Sequence, residues 1–526
     1  MSWPRSSWPP TTTSDRVGPT AQRTVAVIGG GIAGLSAAWE LSGAAGGETR
    51  VVLFEAGSRF GGKLFSEVVG GREVDLGPDA FVARRPEALA LCRELGLEGD
   101  LVAPGARRAY VWARGRLRLL PAGLALGVPT RLGPLARSGI CSPAGLVGPA
   151  LDLLRPTFGS GPANGSDPGS TAGTDRAVGE VVGRRLGREV ATRLAGPLIG
   201  GIHAGTIDTM SSAAVFPALL EADRRPGSLM RALRPTMPRP QAAAPVAGAV
   251  AGTPGTGARG NGEAPVFLTL RGGLGRLAET LADALGQRGV ELRPDSPVGG
   301  LARVSDGDDG RWMITTAGDE VGADGVVIAV PTPAAAGLLR RHDAWLADAL
   351  GAVTYSSVAI ITMRFGDDVI HHPLDGSGFL VPRGDGHQPD PLLTACTWLS
   401  SKWPELGRPG DVLLRVSVGR QGDDRHEALG DDELVSRCLA ELGPMMGVTG
   451  SPLEAVVTRW SEAFPQYPVG HPVAVTAMEA AAARLPAMAL AGAALHGVGI
   501  PACIGSGRQA ARAVLAGVGA GSGRVR

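Results

Sequence analysis

The chain has 526 residues, of which 44% are hydrophobic, and its 51 Lys and Arg balance 50 Asp and Glu to a net charge of +1. This length suits roughly two to four structural units with a large buried core. The near-zero charge excludes a bulk attraction to nucleic acid or to an anionic membrane. The five cysteines have no metal-ligand spacing, and a disulfide framework is not expected in so long a chain, which favours reduced thiols and a cytoplasmic location.

The N-terminal segment, residues 1–22, is polar and rich in proline. It lacks the apolar core of a signal peptide, and therefore it predicts a disordered tail. No run of about 18 uncharged apolar residues occurs in the sequence, so no membrane-spanning helix is expected.

The first predicted elements, within Thr24–Glu55, carry a dinucleotide-binding fingerprint. An apolar strand meets a run of glycines, a helix-like segment follows, and a second apolar strand ends on Glu55, 21 residues after Gly34. In this motif the glycines permit a tight turn, a close approach of a pyrophosphate and close helix–strand packing, and the helix N-terminus favours the anion. The candidate cofactor residues are Gly29, Gly30, Gly31, Ile32, Ala33 and Gly34, with Glu55 as the carboxylate for a ribose hydroxyl.

The loop after the second strand indicates which dinucleotide is bound. It offers a glycine pair, which frees the backbone, and two cations that favour a pyrophosphate or a ribityl chain. Its pattern, E-A-x-x-R-x-G-G-K, resembles the flavin-containing amine oxidase superfamily, whose members bind FAD. The resemblance makes Glu55, Ala56, Arg59, Gly61, Gly62 and Lys63 candidate FAD-binding residues.

Beyond this loop the pattern becomes helical. Apolar residues at helical spacing in Pro86–Leu97 and Val178–Ile199 predict a mostly helical unit from Arg85 to Ala204. Within it, residues 118–154 are rich in Leu, Gly and Pro, and two interpretations stay open for them: a weak peripheral contact with a membrane, or a cover over the substrate cavity. Residues 237–263 have the composition of a flexible insertion.

Strand patterns dominate the second half of the chain. Val290–Leu292 and Val326–Ala329 are expected to return to the nucleotide-binding sheet. Short β-type runs separated by turn residues then predict a second, mostly antiparallel sheet. These runs are Val358–Phe365, Gly378–Val381, Leu392–Trp398 and Val412–Val418.

Four further segments narrow the resemblance to the protoporphyrinogen and coproporphyrinogen oxidases of that superfamily. They are D-L-G-P-D-A-F at 75–81, P-L-I-G-G-I-H-A-G at 197–205, W-S-E-A-F-P-Q-Y-P-V-G-H at 460–471 and G-V-G-I-P-A-C-I-G-S-G-R-Q-A-A at 497–511. By this resemblance, further FAD-binding residues are Leu76, Gly77, Pro78, Asp79, Val298, Trp460, Val498, Gly499 and Ile500.

The resemblance implies an α/β fold. A Rossmann-like, doubly wound FAD-binding domain is expected to be interrupted by the helical unit and by a mixed, mostly antiparallel substrate sheet. The expected boundaries are 23–84, 205–337 and 466–517 for the three FAD-binding parts, 85–204 for the helical unit, 338–465 for the substrate-binding domain and 518–526 for a C-terminal tail.

For function, the resemblance implies FAD-dependent oxidation of coproporphyrinogen III to coproporphyrin III in haem biosynthesis. Oxygen accepts the electrons and hydrogen peroxide is released. Because the flavin removes the hydride, no protein side chain is assigned as catalytic and no metal is expected. The substrate carries propionates, which the fork of an arginine matches. Arg107 and Arg108 resemble the family segment that meets a substrate carboxylate, and which of the two does so stays open.

Other functions remain as alternatives. Protoporphyrinogen IX is the competing substrate in the same class. An amine or carotenoid oxidoreductase shares the fold, although the chain has only 3 Tyr and 10 Phe for the aromatic cage of an amine oxidase. A non-catalytic carrier that keeps the nucleotide domain is the third alternative. A transient contact with the next enzyme of the haem pathway is the one protein partner expected.

Overall fold

The computed structural model describes residues 23–44, 49–156, 175–234, 265–304, 311–384 and 390–521. The predicted tail at 1–22 and the predicted insertion at 237–263 lie outside the described residues. At the other end, the last helix continues to Gly521, so the first residues of the predicted C-terminal tail are helical.

The strands are β1 (Arg23–Ile28), β2 (Thr49–Phe54), β3 (Ser66–Val69), β4 (Arg72–Asp75), β5 (Phe81–Val82), β6 (Leu101–Val102), β7 (Tyr110–Ala113), β8 (Arg116–Leu119), β9 (Leu124–Ala125), β10 (Val128–Pro129), β11 (Phe267–Leu270), β12 (Glu291–Arg293), β13 (Val298–Val304), β14 (Arg311–Thr316), β15 (Glu320–Ala323), β16 (Gly325–Ile328), β17 (Tyr355–Gly366), β18 (Gly378–Leu380), β19 (Leu393–Trp398), β20 (Asp411–Val418), β21 (Glu454–Pro465) and β22 (Met488–Leu490).

The helices are α1 (Ile32–Ala44), α2 (Pro86–Glu94), α3 (Leu132–Ser138), α4 (Val147–Leu154), α5 (Val178–Leu186), α6 (Arg188–Val190), α7 (Gly201–His203), α8 (Ser212–Val215), α9 (Pro217–Arg224), α10 (Leu229–Ala232), α11 (Gly275–Gln287), α12 (Thr332–Leu339), α13 (Ala344–Gly351), α14 (Leu399–Lys402), α15 (Asp431–Met446), α16 (His471–Ala482), α17 (Ala493–His496) and α18 (Ile500–Gly521). A π-helical stretch, Ala191–Gly200, links α6 to α7.

A five-stranded parallel sheet forms the nucleotide-binding part, in the order β12-β2-β1-β16-β22. Its strands come from three separated stretches of the chain. In β1, Val25 and Val27 pack among α1, α11 and α18, whereas Ala26 and Ile28 pack on the opposite face with α12, α13 and α16. Burial on both faces explains why β1 reads as a continuous apolar run.

The second sheet has seven strands in the order β21-β17-β20-β19-β18-β7-β8. All its pairings are antiparallel except that between β7 and β18. The prediction of a mixed, mostly antiparallel sheet within an α/β fold is therefore confirmed. The sequence did not place β7 and β8 in it.

The mostly helical pattern expected for residues 85–204 does not hold throughout. Residues 101–129 form strands β6 to β10, and β7 and β8 extend the second sheet. Alternating burial in Tyr110–Ala113 explains the difference, because this period of two suits a strand with one face in the core. Helices α3 to α6 and α8 to α10 pack around a separate apolar core that includes Leu135, Leu194 and Leu229.

Among the described residues, no helix combines the length and the apolar character that crossing a membrane requires. Helix α4 nevertheless exposes three apolar side chains at helical spacing, Val147, Leu151 and Leu154.

Candidate active site

The turn between β1 and α1 has the geometry of a phosphate cradle. Gly29 has a φ of 108°, and a Cβ there would lie 2.7 Å from the carbonyl oxygen of Ala329. At Gly34 a Cβ would collide with the carbonyl of Gly29, which is how α1 packs so closely on β1. A Cβ on Gly31 would meet no protein atom within 4 Å. Protein packing therefore does not explain this glycine, whereas the predicted close approach of a phosphate would.

Glu55 lies at the end of β2, beside this turn. Its Oε2 accepts a hydrogen bond from the Gly30 N–H at 2.7 Å, and its Oε1 accepts one from the Gly57 N–H at 2.8 Å. The Ser296 N–H donates to the Glu55 carbonyl at 2.8 Å, which brings the segment that leads into Val298 next to the carboxylate. Thus the segment that precedes Val298 lies beside Glu55 at one edge of the cradle.

The glycine loop after β2 closes the other side of the turn. The Gly61 N–H donates to the Gly30 carbonyl at 2.8 Å, and a Cβ on Gly62 would lie 3.1 Å from the Gly31 Cα. Arg59 holds this loop in shape, because its guanidinium donates to the carbonyls of Gly62 at 2.7 Å and Leu64 at 3.2 Å. Arg59 therefore acts on the cradle through the backbone it organises.

Lys63 extends from the same loop. Its side chain is accessible to solvent, yet enclosure by the protein lowers the pKa of its ammonium, and the nearby Glu462 partly opposes this lowering. A cation in this position suits a ligand with anionic or electron-rich groups.

The segment Leu76–Asp79 is held by four side chains from the second sheet and its connections. The indole Nε1 of Trp460 donates to the Leu76 carbonyl at 2.8 Å. Arg415 donates to the carbonyl of Gly77. Burial alone would raise the pKa of Asp79, but Lys402 at 2.7 Å, Arg415 and the Trp403 indole outweigh it and hold this pKa well below the ordinary value. Asp79 is thus an ionised anchor, and Gly77 and Pro78 are positioned with it.

The C-terminal motif contacts α1 of the fingerprint through helix α18. Val498 and Gly499 lead into α18, whose backbone begins at Ile500, and the Cys503 N–H donates to the Gly499 carbonyl at 3.0 Å. Gly507 lets α18 press against Ala33 of α1. Burial raises the pKa of the Cys503 thiol to about 11, so this thiol is protonated near neutral pH.

The two histidines of the motifs lie around Tyr467. The ring centroid of Tyr467 is 5.7 Å from that of His203 and 4.1 Å from that of His471, onto which it stacks. Burial lowers the pKa of His203 to about 4, so its imidazole is neutral near pH 7. Nε2 of His471 lies 3.2 Å from the Leu495 carbonyl. Both positions fit a structural role.

The predicted propionate-binding pair lies at the edge of the second sheet, away from the cradle. Arg107 is exposed. Arg108 is 62% exposed in its side chain and forms an ion pair with Asp375 at 2.7 Å, and the Tyr110 hydroxyl donates to the same carboxylate at 2.7 Å. The structure does not bring either arginine to the candidate FAD-binding residues, and one guanidinium nitrogen of Arg108 is already paired with Asp375.

Sequence reasoning missed several residues of the site. Lys402 and Arg415, which hold the segment Leu76–Asp79, belong to no recognised motif, and only the fold brings them there. Glu462 stood within a recognised motif, but nothing in the pattern distinguished it from its neighbours.

Comparison with known proteins places these features in a wider group. The model of the family described as flavin containing amine oxidoreductase matches residues 32–515. The coproporphyrinogen III oxidase of Bacillus subtilis (strain 168) is 31% identical over 497 residues, covering 93% of this chain and 97% of the relative. That of Propionibacterium freudenreichii subsp. freudenreichii is 34% identical over 518 residues, covering 95% and 93%.

A solved structure is similar over the same range. The crystal structure of a protein assigned as a protoporphyrinogen oxidase, from Exiguobacterium sp. 255-15, superposes with a TM-score of 0.77 at 29% identity and covers 94% of this chain and 99% of its own. The family match and the full-length relatives agree with the cradle that the fingerprint, the glycine loop and α18 build. The chain belongs to the flavin containing amine oxidoreductase family.

Proposed function

We propose that this protein oxidises coproporphyrinogen III to coproporphyrin III in haem biosynthesis, with FAD as its cofactor and oxygen as the final electron acceptor. The observation that carries the proposal is similarity along nearly the whole chain, including the segments that contact the cradle, to proteins named coproporphyrinogen III oxidase. The reaction removes six electrons in three two-electron cycles and releases hydrogen peroxide.

The residues of the site fit FAD. The open face of Gly31 and the N-terminus of α1 suit the pyrophosphate, and Glu55 with the segment at Val298 suits the adenosine half. The glycine loop with Lys63, the Leu76–Asp79 segment with Trp460, and Val498–Ile500 suit the flavin half. When bound, FAD supplies the two-electron chemistry.

The protein itself contributes position and shelter. A porphyrinogen is large and flexible, and holding its reacting carbon in place can supply roughly 7–11 kcal/mol of the barrier reduction. The His203 imidazole and the Cys503 thiol, which lie near Tyr467, are both neutral near pH 7, so neither places a charge next to the proposed site of the macrocycle. The half-buried Trp460 and Phe464 offer apolar surface to a macrocycle.

Fluorescence tests the proposal directly, because porphyrins fluoresce and porphyrinogens do not. The purified holoenzyme in air should convert coproporphyrinogen III with three hydrogen peroxide molecules per porphyrin. The Gly31→Val variant, which should lack FAD, is the control for oxidation without the enzyme. Equal rates in both samples would overturn the proposed activity.

Protoporphyrinogen IX is the second candidate substrate, favoured by the name of the Exiguobacterium relative. It has two propionates where the copro substrate has four. Comparison of kcat/KM for the two substrates decides between them, and a higher value for coproporphyrinogen III is expected.

The cellular setting is also part of the proposal. We infer a cytoplasmic protein from the cysteines, which are all buried and free among the described residues. Transient transfer of product to the next enzyme of the pathway, and a weak membrane contact through the exposed face of α4, are further proposals. Co-sedimentation with anionic vesicles tests the membrane contact.

A further inference from the structure

A β-bulge sets one acidic residue apart from the rest of β21. Where β21 pairs with β17, Ser357 alone stands opposite three residues, 461–463. Glu462, the middle one, has a φ of 47°, and its N–H donates to the Ser357 hydroxyl at 3.2 Å. Residues other than glycine rarely adopt this left-handed conformation. Bulges re-aim side chains and are common beside active sites, and strained residues cluster there as well.

Glu462 lies near Lys63 of the glycine loop and Tyr355 of β17, as its electrostatic interactions with both show. Its side chain is exposed, and its charge acts on Lys63, where it opposes the lowering of the pKa that enclosure causes. It also acts on Tyr355, whose pKa is raised mainly by burial. Two residues earlier on the same strand, Trp460 reaches Leu76, and the neighbouring Gly77 packs against the Lys63 carbonyl. These contacts place Glu462 beside the flavin half of the site.

Five titratable groups from separate elements interact electrostatically in this region. Tyr355 lies on β17, Glu462 on β21, Tyr467 beyond the end of β21, Cys503 on α18 and Lys63 on the glycine loop. Burial raises the pKa values of Tyr355, Tyr467 and Cys503, so these three groups are protonated and neutral near pH 7. Glu462 is the one carboxylate of the five, and Lys63 provides the facing cation.

The reaction needs such a group. Each two-electron cycle of a porphyrinogen releases a hydride from a meso carbon and a proton from a pyrrole nitrogen, and a new double bond joins the ring to the bridge. Over the three cycles, one hydrogen shifts by tautomerisation from the remaining meso CH2 to a ring nitrogen, so the product has lost four meso C–H and two N–H hydrogens in total. We propose that Glu462 is the catalytic base that accepts the pyrrole N–H proton. The inference rests on the proposed function, because another substrate would have another proton to lose.

The atoms and electrons balance with the cofactor and oxygen of the proposed function. The hydride, with its two electrons, leaves for the flavin, and the proton passes to the Glu462 carboxylate. Reduction of one oxygen molecule to hydrogen peroxide consumes those two electrons, the transferred hydrogen and one proton. Glu462 returns its proton in that step and is ready for the next cycle.

Glu462→Gln tests the assignment, because glutamine keeps the shape and cannot accept the proton. General-base catalysis typically contributes about 10²–10⁴-fold, so anaerobic flavin reduction by coproporphyrinogen III should slow at least about 100-fold. FAD content and the Kd for coproporphyrin III should stay unchanged. Glu462→Asp should recover part of the rate, and Glu320→Gln, an exposed residue of β15, is the matched control.

Two readouts separate a base from a structural residue. The acid limb of the wild-type kcat/KM profile should disappear in Glu462→Gln. Infrared difference spectra of the anaerobic holoenzyme with substrate should show a protonated carboxyl band that the variant lacks. If Glu462→Gln keeps the wild-type rate and the acid limb of the kcat/KM profile, the inference is overturned but the proposed function stands. If the wild-type enzyme produces no porphyrin, the proposed function itself is overturned. If Glu462→Gln loses FAD, an Asp variant with an unshifted acid limb equally overturns the inference.

Discussion

The indole Nε1 of Trp460 donates a 2.8 Å hydrogen bond to the carbonyl of Leu76, a residue 384 positions earlier in the chain. The bond connects the second sheet to a segment of the candidate FAD-binding site. Leu76 is only 1% exposed, so its carbonyl has little access to water as a replacement partner.

Replacing Trp460 with Phe should therefore weaken both the fold and FAD binding. A buried carbonyl that loses its partner costs about 1–3 kcal/mol. We expect a lower melting temperature for the holoenzyme and a higher Kd in a flavin titration of the apoprotein. Trp345→Phe, at a side chain that is 53% exposed, should change neither, and equal behaviour of the two variants would argue against the link.

Gly31→Val should abolish FAD binding without unfolding the protein. A Cβ at Gly31 would meet no protein atom within 4 Å, so we expect the added side chain to extend into the space through which a pyrophosphate approaches. The measurement is the flavin absorbance of the purified variant beside its circular dichroism. Gly337→Val, at an exposed glycine of α12, is the control, and a full complement of flavin in Gly31→Val would refute the fingerprint assignment.

Arg107→Ala and Arg108→Ala should leave the flavin in place, because both residues lie apart from the FAD-binding segments. Loss of a charged partner for a carboxylate costs about 1.5–3 kcal/mol, roughly tenfold to hundredfold in KM, with kcat little changed. At least one of the two should show this rise. Arg116→Ala serves as the surface control, and unchanged KM values in both single variants and the double variant would leave the propionate contact unassigned.

Asp75 makes the stability depend on pH. Burial, partly opposed by hydrogen bonds from the Ser66 hydroxyl at 2.6 Å and the Leu274 N–H at 2.7 Å, raises its pKa from 3.8 to about 6. Because the pKa of Asp75 is higher in the folded state than its ordinary value, the contribution of this residue to the free energy of unfolding is fully present below about pH 4. That contribution is lost as the pH rises through about 6. Ionisation of Asp75 therefore destabilises the fold at neutral pH.

Asp75→Asn stays neutral and keeps an oxygen that can accept both hydrogen bonds. Relative to wild type, its melting temperature should rise between about pH 5 and pH 7.5, with a gain of at most about 3 kcal/mol at 1.36 kcal/mol per pKa unit. The Glu320→Gln variant also removes one negative charge, but from the surface, and therefore serves as the control for the change in net charge. If the melting temperatures of Asp75→Asn and wild type instead converge as the pH rises over this range, the result would contradict the raised pKa of Asp75.

The local sequence determined the cofactor cradle. Gly29, Gly31 and Gly34 have the spacing that a dinucleotide turn requires, and the contact that requires a glycine at position 34 lies within the same turn. Strands β17 to β20 were also predictable, because alternation and turn residues are local signals. The family resemblance named the remaining FAD-binding segments, and their roles stay predictions.

Only the tertiary structure decided which distant side chains meet. Lys402 and Arg415 reach the Leu76–Asp79 segment from more than 300 positions away, and no periodicity encodes such a contact. Strands β7 and β8 join a sheet whose other members follow much later in the chain, so their pairing depends on the packing of the whole fold. The direction of Glu462 depends on a bulge against β17, and a bulge is a property of two paired strands that neither strand's sequence displays alone.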